Sequence, residues 1–203
     1  MAERDRLEIE VKFFLEHPEP VRDRIVGIGA HPLGKCFETN IRFDDEAGRF
    51  GKKNALLRLR KDRKATLTYK SPPAEHDPEF KVLKEIEVEV SDFRSMHMLL
   101  ESLGFRPEQI YEKWRESFLL AETKLCIDKM PFGTFLEIEG ERSEIRKLAG
   151  EIGFPWEQRI LWNYLAIFET LRSRWGLPFY DVTFKNFEGR DEFKKYLHLF
   201  TAG

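Results

Sequence analysis

The chain has 203 residues, 34% of them charged, yet 34 Lys plus Arg against 36 Asp plus Glu leave a formal net charge of only -2. That balance excludes the basic excess of a general nucleic-acid binder, and a hydrophobic share of 41% excludes an intrinsically disordered chain. Two cysteines, Cys36 and Cys126, without a CxxC exclude a disulfide framework and a zinc knuckle.

The length suits one domain, or one domain with an appendage. The start, Met1-Ala2-Glu3-Arg4-Asp5-Arg6, lacks the apolar stretch of a signal peptide, and no apolar run is long enough for a membrane helix. The expected location is therefore a reducing cytoplasm, with neither membrane nor nucleic acid as a partner.

Period-2 alternation predicts strands over 6–14, 55–62, 64–70, 82–90, 112–120, 123–129 and 133–139, with a further strand over 34–46 lengthened by a turn at Glu46-Ala47-Gly48. Helical periodicity predicts helices over 19–29, 92–103 and 142–152. Ser91-Asp92 opens the second of these and Gly104 closes it, while Ser143 is the expected N-cap of the third. The Pro-rich, acidic loop 71–80 is expected to be exposed and mobile, a lid or mouth loop. After Pro155 the chain turns aromatic, with a helix expected over 157–174 and a short one after Gly189.

The strand faces carry the functional signal. Glu8, Glu10 and Lys12 share one face, opposite Leu7, Ile9, Val11 and Phe13. Arg58 and Arg60 share a face, Lys70 closes the next strand, and Glu85, Glu87 and Glu89 form an acidic row. Lys113 pairs with Arg115, Asp128 stands near the end of another strand, and Glu137 pairs with Glu139. Taken singly, such a row is a solvated strand face. Like charges repeated two residues apart on strand after strand are better explained by a barrel with a polar interior and apolar outer faces covered by helices.

Converging Lys and Arg match a polyanion, and Arg forks recognise phosphate oxygens. Carboxylates beside a polyanion require a hard cation between them, so Mg²⁺ or Mn²⁺ is the expected cofactor. Lys61-Asp62-Arg63-Lys64 reads as a charged hairpin turn, Glu89 as a rim or surface charge, and the five histidines as structural or exposed. Cys126, on the face of Asp128, reads as a small filler, and the tail aromatics, Tyr164 among them, as core.

The ordered set Glu8-Ile9-Glu10-Val11-Lys12, Leu57-Arg58-Leu59-Arg60, Leu67-Thr68-Tyr69-Lys70, Glu85-Ile86-Glu87, Lys113-Trp114-Arg115, Asp128 and Glu137-Ile138-Glu139 resembles the CYTH proteins, or triphosphate tunnel metalloenzymes, over roughly residues 6–170. The resemblance implies an α+β fold: a closed antiparallel eight-stranded β-barrel with flanking helices, covering 1–170, and a helical C-terminal extension, 171–203, packing on it. It implies a small-molecule triphosphate as substrate, and the chain is expected to be a monomer or homodimer.

By the same resemblance, Glu8, Glu10, Glu137 and Glu139 are the main metal-binding carboxylates. Glu85, Glu87 and Asp128 are supporting acids, either ligands or orienters. Lys12, Arg58, Arg60, Lys70, Lys113 and Arg115 hold phosphates, and with Glu8, Glu10 and Asp128 they make up the catalytic set. A triphosphatase acting on inorganic tripolyphosphate or a nucleoside triphosphate is the leading expectation. An adenylyl cyclase and a non-catalytic polyphosphate- or nucleotide-binding module are the alternatives. Two departures stand out: Ser71 replaces a Gly common among relatives, a harmless change in a strand-exit turn, and no aromatic residue lies in 19–29, which disfavours thiamine triphosphate.

Overall fold

The computed structural model describes residues 7–190 together with Phe193 and Phe200. The strands are β1 (Leu7–Leu15), β2 (His31–Asp45), β3 (Leu56–Lys61), β4 (Ala65–Ser71), β5 (Lys81–Val90), β6 (Phe105–Leu120), β7 (Thr123–Met130) and β8 (Gly133–Glu139). The helices are α1 (Pro18–Gly27), α2 (Arg49–Lys52), α3 (Phe93–Ser102), α4 (Arg142–Ile152) and α5 (Tyr164–Trp175). All neighbouring strands pair antiparallel in the order β1-β5-β4-β3-β2-β6-β7-β8, and β1 bonds to both β5 and β8, so the ring of hydrogen bonds closes. No helix among the described residues is long and apolar enough to cross a membrane.

Alternation decides which side chains enter the ring. On β1 the odd residues Val11 and Phe13 are fully buried against α1 and α4, in a cluster with Ile25, Ile138, Ile145 and Ile152. The even residues Glu8, Glu10 and Lys12 therefore point inward, because successive strand side chains alternate. A second core, with Phe43, Leu57, Leu59 and Leu100, packs α3 beneath β2 and β3. Asp92 caps α3 by accepting the Ser95 amide at 2.7 Å, and Gly104 follows in the left-handed region at φ 88°, as its position predicted.

Several boundaries differ from the sequence expectation. β6 begins at Phe105 rather than 112, because β2 pairs with it past Pro107 through a bulge at Arg42/Phe43. The turn after Glu46 leads into the short helix α2, whose entry is held by Asp44 and Asp45 accepting the amides of Phe50, Gly51 and Arg49. Ser143 lies within the first turn of α4 and Glu141 is the N-cap, without a side-chain cap bond. The expected helix over 157–174 starts only at Tyr164. Trp156–Gln158 form a single 3-10 turn, and Ile160 then exchanges two backbone hydrogen bonds with Lys12, at 2.7 and 3.1 Å, which holds the chain extended there and delays the helix. Asn163 then caps α5 through the Ala166 amide at 2.8 Å.

The loop expected to be mobile is tied down at its far end. Asp77 accepts two amides and the Arg142 guanidinium, and Phe80 is buried against Trp156. The helix expected after Gly189 falls mostly outside the described residues.

The tail completes two open seams of the ring. β1 pairs with β5 only over Leu7–Glu10, and beyond it the Lys12 backbone turns to Ile160. β6 pairs with β7 only from Trp114 onward, and just before it the Ile110 carbonyl and Glu112 amide bond to Val182. Tyr164, Ile167, Phe168, Leu177 and Phe187 then pack on Tyr111, Met130, Phe132 and Phe135 at that end of the barrel. α5 runs through residues 170 and 171, so the packed tail is continuous across the expected boundary.

Candidate active site

A cavity of about 940 Å³ occupies the ring, lined by charged groups from all eight strands. Glu8, Glu10, Lys12, Arg58, Arg60, Lys70, Glu85, Glu87, Lys113, Arg115, Glu137 and Glu139 all border it. Asp128 does not. It lies fully buried beneath the wall, with 0% exposure, and its carboxylate accepts bonds from Lys113, Arg115 and Tyr164, which border the cavity.

The carboxylate side is built on β1 and β8. Register places Glu10 beside Glu139 and Lys12 beside Glu137. Lys12, itself 2% exposed, bonds to Glu10 and lies 3.1 Å from Glu137. Lys81 donates to Glu10 at 2.5 Å, and Lys70 bonds to Glu8 and lies 3.3 Å from Glu85.

Burial and the Glu137 carboxylate push the Glu10 carboxyl up, but the ammonium groups of Lys12, Lys81 and Lys70 outweigh them and hold it at about 2. Glu137 is likewise held well below the usual range, against burial, by Lys12, Arg115 and Lys113. The outer pair differs. Burial, with Glu10 and Glu85, raises Glu8 despite Lys70; burial, with Glu8, Glu137 and Glu10, raises Glu139 despite Lys124.

The donor set fits a hard divalent cation: several carboxylates share one wall, and two of them, Glu8 and Glu139, are raised chiefly by burial, a cost that a bound cation would offset. Among the described residues, a tighter group within 4.8 Å joins Cys36, Glu38 and Asp62. Its Glu38 already faces Lys113 at 3.5 Å, Arg115 at 3.9 Å and Arg60 at 4.0 Å, which leaves little unmet negative charge for a cation.

The cationic side is built on β3, β4 and β6. Arg58 donates to Thr68 at 3.1 Å and Tyr111 at 3.4 Å, and Arg60 donates to Thr66 and Glu87, both at 3.2 Å. Arg115 grips Asp128 with two bonds of 2.6 Å, and Lys113 reaches the same carboxylate at 2.9 Å. The guanidinium of Arg115 also donates to Glu137 at 2.7 Å, which joins the two sides. Planar forks held in this way present their remaining N–H groups in fixed directions.

Four positions at or beside the cavity carry no clear signal in the sequence. Lys81 continues the β5 row of Glu85 and Glu87 toward its start, a register signal one residue before the strand assigned from periodicity. Glu38, 1% exposed, belongs to the alternating row Cys36, Glu38, Asn40 and Arg42 on β2, whose faces were not separated. Tyr111 sits on the face of Lys113 within the unrecognised part of β6. Tyr164, read as core, does pack in the core but also borders the cavity and donates its hydroxyl to Asp128 at 3.0 Å.

The surface readings agree with the structure. Lys64 pairs with the exposed Glu89 at 2.6 Å beyond the tight turn at Asp62, and Cys126 is buried beside Ser117.

Glu38 gives the site a pH signature. Burial raises its carboxyl, but Lys113, Arg115, Arg60 and Arg58 hold it at about 2. A carboxyl lowered from 4.5 stabilises the fold fully above about pH 4.5 and loses that contribution as pH falls toward about 2. Glu38→Gln should therefore shrink the loss of stability across this window by on the order of 3 kcal/mol. Urea unfolding at several acidic pH values checks it, and parallel curves for both proteins would refute it.

The comparisons with known proteins agree with this geometry. The family model described as CYTH domain matches residues 6–152. A Methanocaldococcus jannaschii protein named "Putative adenylate cyclase" is 29% identical over 143 residues, covering 70% of this chain and 81% of that protein. A solved Pyrococcus horikoshii structure superposes with a TM-score of 0.66 at 26% identity, covering 77% of this chain and 96% of the other. A Hippeastrum structure, described as a "Putative adenylyl cyclase" that reveals a dominant triphosphatase activity, gives 0.60 at 22% identity, covering 80% and 95%.

Proposed function

The chain belongs to the CYTH domain family, and from that premise we propose that it is a metal-dependent triphosphatase removing the terminal phosphate of inorganic tripolyphosphate or a nucleoside triphosphate. The observation that carries this reading is the division of one cavity into a carboxylate wall, Glu8, Glu10, Glu137 and Glu139, and a cationic wall, Arg58, Arg60, Lys113 and Arg115.

Phosphoryl transfer asks a protein mainly for positioning and charge neutralisation, and this arrangement supplies both. Lys12, Lys70, Lys113 and the three arginines would bind the phosphate oxygens and hold the chain extended between the walls. Glu8, Glu10, Glu137 and Glu139 would hold Mg²⁺ or Mn²⁺. When bound, the ion neutralises phosphate charge and lowers the pKa of a water molecule. Glu85 and Glu87 aim Lys70 and Arg60, and Asp128 aims Lys113 and Arg115. Water attacks the terminal phosphorus in line, the bond to the bridging oxygen breaks, and tripolyphosphate yields diphosphate and orthophosphate.

The second reading is cyclisation of ATP, in which the ribose 3′-oxygen attacks the α-phosphorus and pyrophosphate leaves. It is favoured by the name of the Methanocaldococcus relative and by a cavity with room for a nucleoside. Product analysis decides. Incubation of tripolyphosphate and ATP with Mg²⁺ or Mn²⁺ should release orthophosphate. Cyclic AMP with pyrophosphate would establish the cyclase instead, and binding of tripolyphosphate without any product would leave a binding module.

A further inference from the structure

Tyr164 lies beyond residue 152, where the family model ends, yet its side chain enters the cavity. Its placement is built by the fold. Ile160 docks on the Lys12 backbone, Asn163 caps α5, and the first residue of that helix then faces the barrel interior. The hydroxyl donates to Asp128 Oδ2 at 3.0 Å. The ring lies under two ammonium groups, with Lys12 Nζ 5.2 Å and Lys113 Nζ 5.5 Å from its centroid, inside the range of a cation–π contact.

We propose that Tyr164 is a positioning residue of the cationic wall, fixing Lys113 and Arg115 through Asp128. The assignment rests on the reading of the cavity as a phosphate site. Asp128 Oδ1 accepts one bond from Arg115, and Oδ2 accepts one each from Lys113, Arg115 and Tyr164, so both oxygens are engaged. Of these donors only Tyr164 is uncharged and outside the cationic wall, so it anchors Asp128 while the two bases turn toward a ligand. Without the hydroxyl, Oδ2 keeps only the two groups it is meant to orient. The carboxylate and both bases are then free to shift together.

Tyr164→Phe keeps the ring and removes the hydroxyl. Two readouts test it against the unaltered protein: calorimetric titration with tripolyphosphate in the presence of a chelator, and hydrogen exchange of the Arg115 Nε–H by NMR. The variant should bind tripolyphosphate roughly tenfold more weakly, as expected for a lost bond to a charged group. Its Arg115 Nε–H should exchange several-fold faster, with a cooperative thermal transition retained.

Weaker binding with unchanged Arg115 exchange would overturn the route through Asp128. Loss of the cooperative transition would reduce Tyr164 to a structural role and overturn the proposal. If the unaltered protein binds tripolyphosphate and the variant binds it equally well, the assignment of Tyr164 alone falls. If the unaltered protein does not bind tripolyphosphate, the phosphate reading of the cavity falls and takes this assignment with it.

Discussion

Glu10→Gln should lower turnover of tripolyphosphate by at least about a hundredfold, while tripolyphosphate affinity without metal stays within a few-fold of the unaltered protein. Glu10 stands where the carboxylate wall is densest, beside Glu139 in register and joined to Glu137 through Lys12. The amide keeps the size of the side chain and still accepts a bond from Lys12 or Lys81, so the barrel has no cavity to collapse into. What disappears is a charge. Among these carboxylates, Glu10 is held ionised down to about pH 2, so it offers a full negative charge across the physiological range.

A hard cation loses one of its anionic donors in this variant, and Mn²⁺ affinity measured by electron paramagnetic resonance should fall about tenfold or more. Apart from Lys12, which bonds to Glu10 itself, the proposed phosphate contacts lie on the other wall and keep their geometry. Unchanged turnover together with unchanged Mn²⁺ affinity would show that the first strand is not the metal side.

The repeated charge pairs were legible because a strand has a period of two, and a polar interior leaves its mark on every strand that lines it. Glu8, Glu10 and Lys12 taken alone read as a solvated face, and only the repetition on the other strands turned them inward. Glu38 and Tyr111 had no such support. The row of Glu38 on β2 mixes a thiol, an acid, an amide and a base, and the start of β6, where Tyr111 lies, is broken by Pro107, so neither stretch repeats a charge. Lys81 was lost at a strand boundary, where periodicity has no next residue to count. Tyr164 was hidden for another reason. Nothing in an aromatic tail shows which ring meets a buried carboxylate thirty-six positions earlier, a pairing made only when Ile160 docks on β1. Sequence alternation reports which way a side chain points, and tertiary contact decides what it points at.

Asp128→Ala should destabilise the fold by about 3–5 kcal/mol, a larger effect than expected of the cavity-lining acids Glu85 or Glu87. The reason is the asymmetry of buried charge. Asp128 has no exposed surface, and its removal takes from Arg115 and Lys113, each mostly buried, the nearer of their two shared carboxylates. Water does not reach the vacated position easily, so the lost bonds are not replaced by solvent.

Three contacts moderate the loss. Arg115 keeps Glu137 at 2.7 Å and Glu38 at 3.9 Å, and Lys113 keeps Glu38 at 3.5 Å, which points to the lower part of that range. Asp128→Asn preserves volume and one acceptor oxygen and should cost less, about 1.5–3 kcal/mol. Glu87→Gln, whose carboxylate is more than a third exposed, should change stability by under about 1 kcal/mol. Denaturant unfolding of the three variants at neutral pH gives the ranking directly. If Asp128→Ala lost no more than Glu87→Gln, the Lys113–Asp128–Arg115 cluster would have to be solvated, and its role in aiming the cationic wall would go with it.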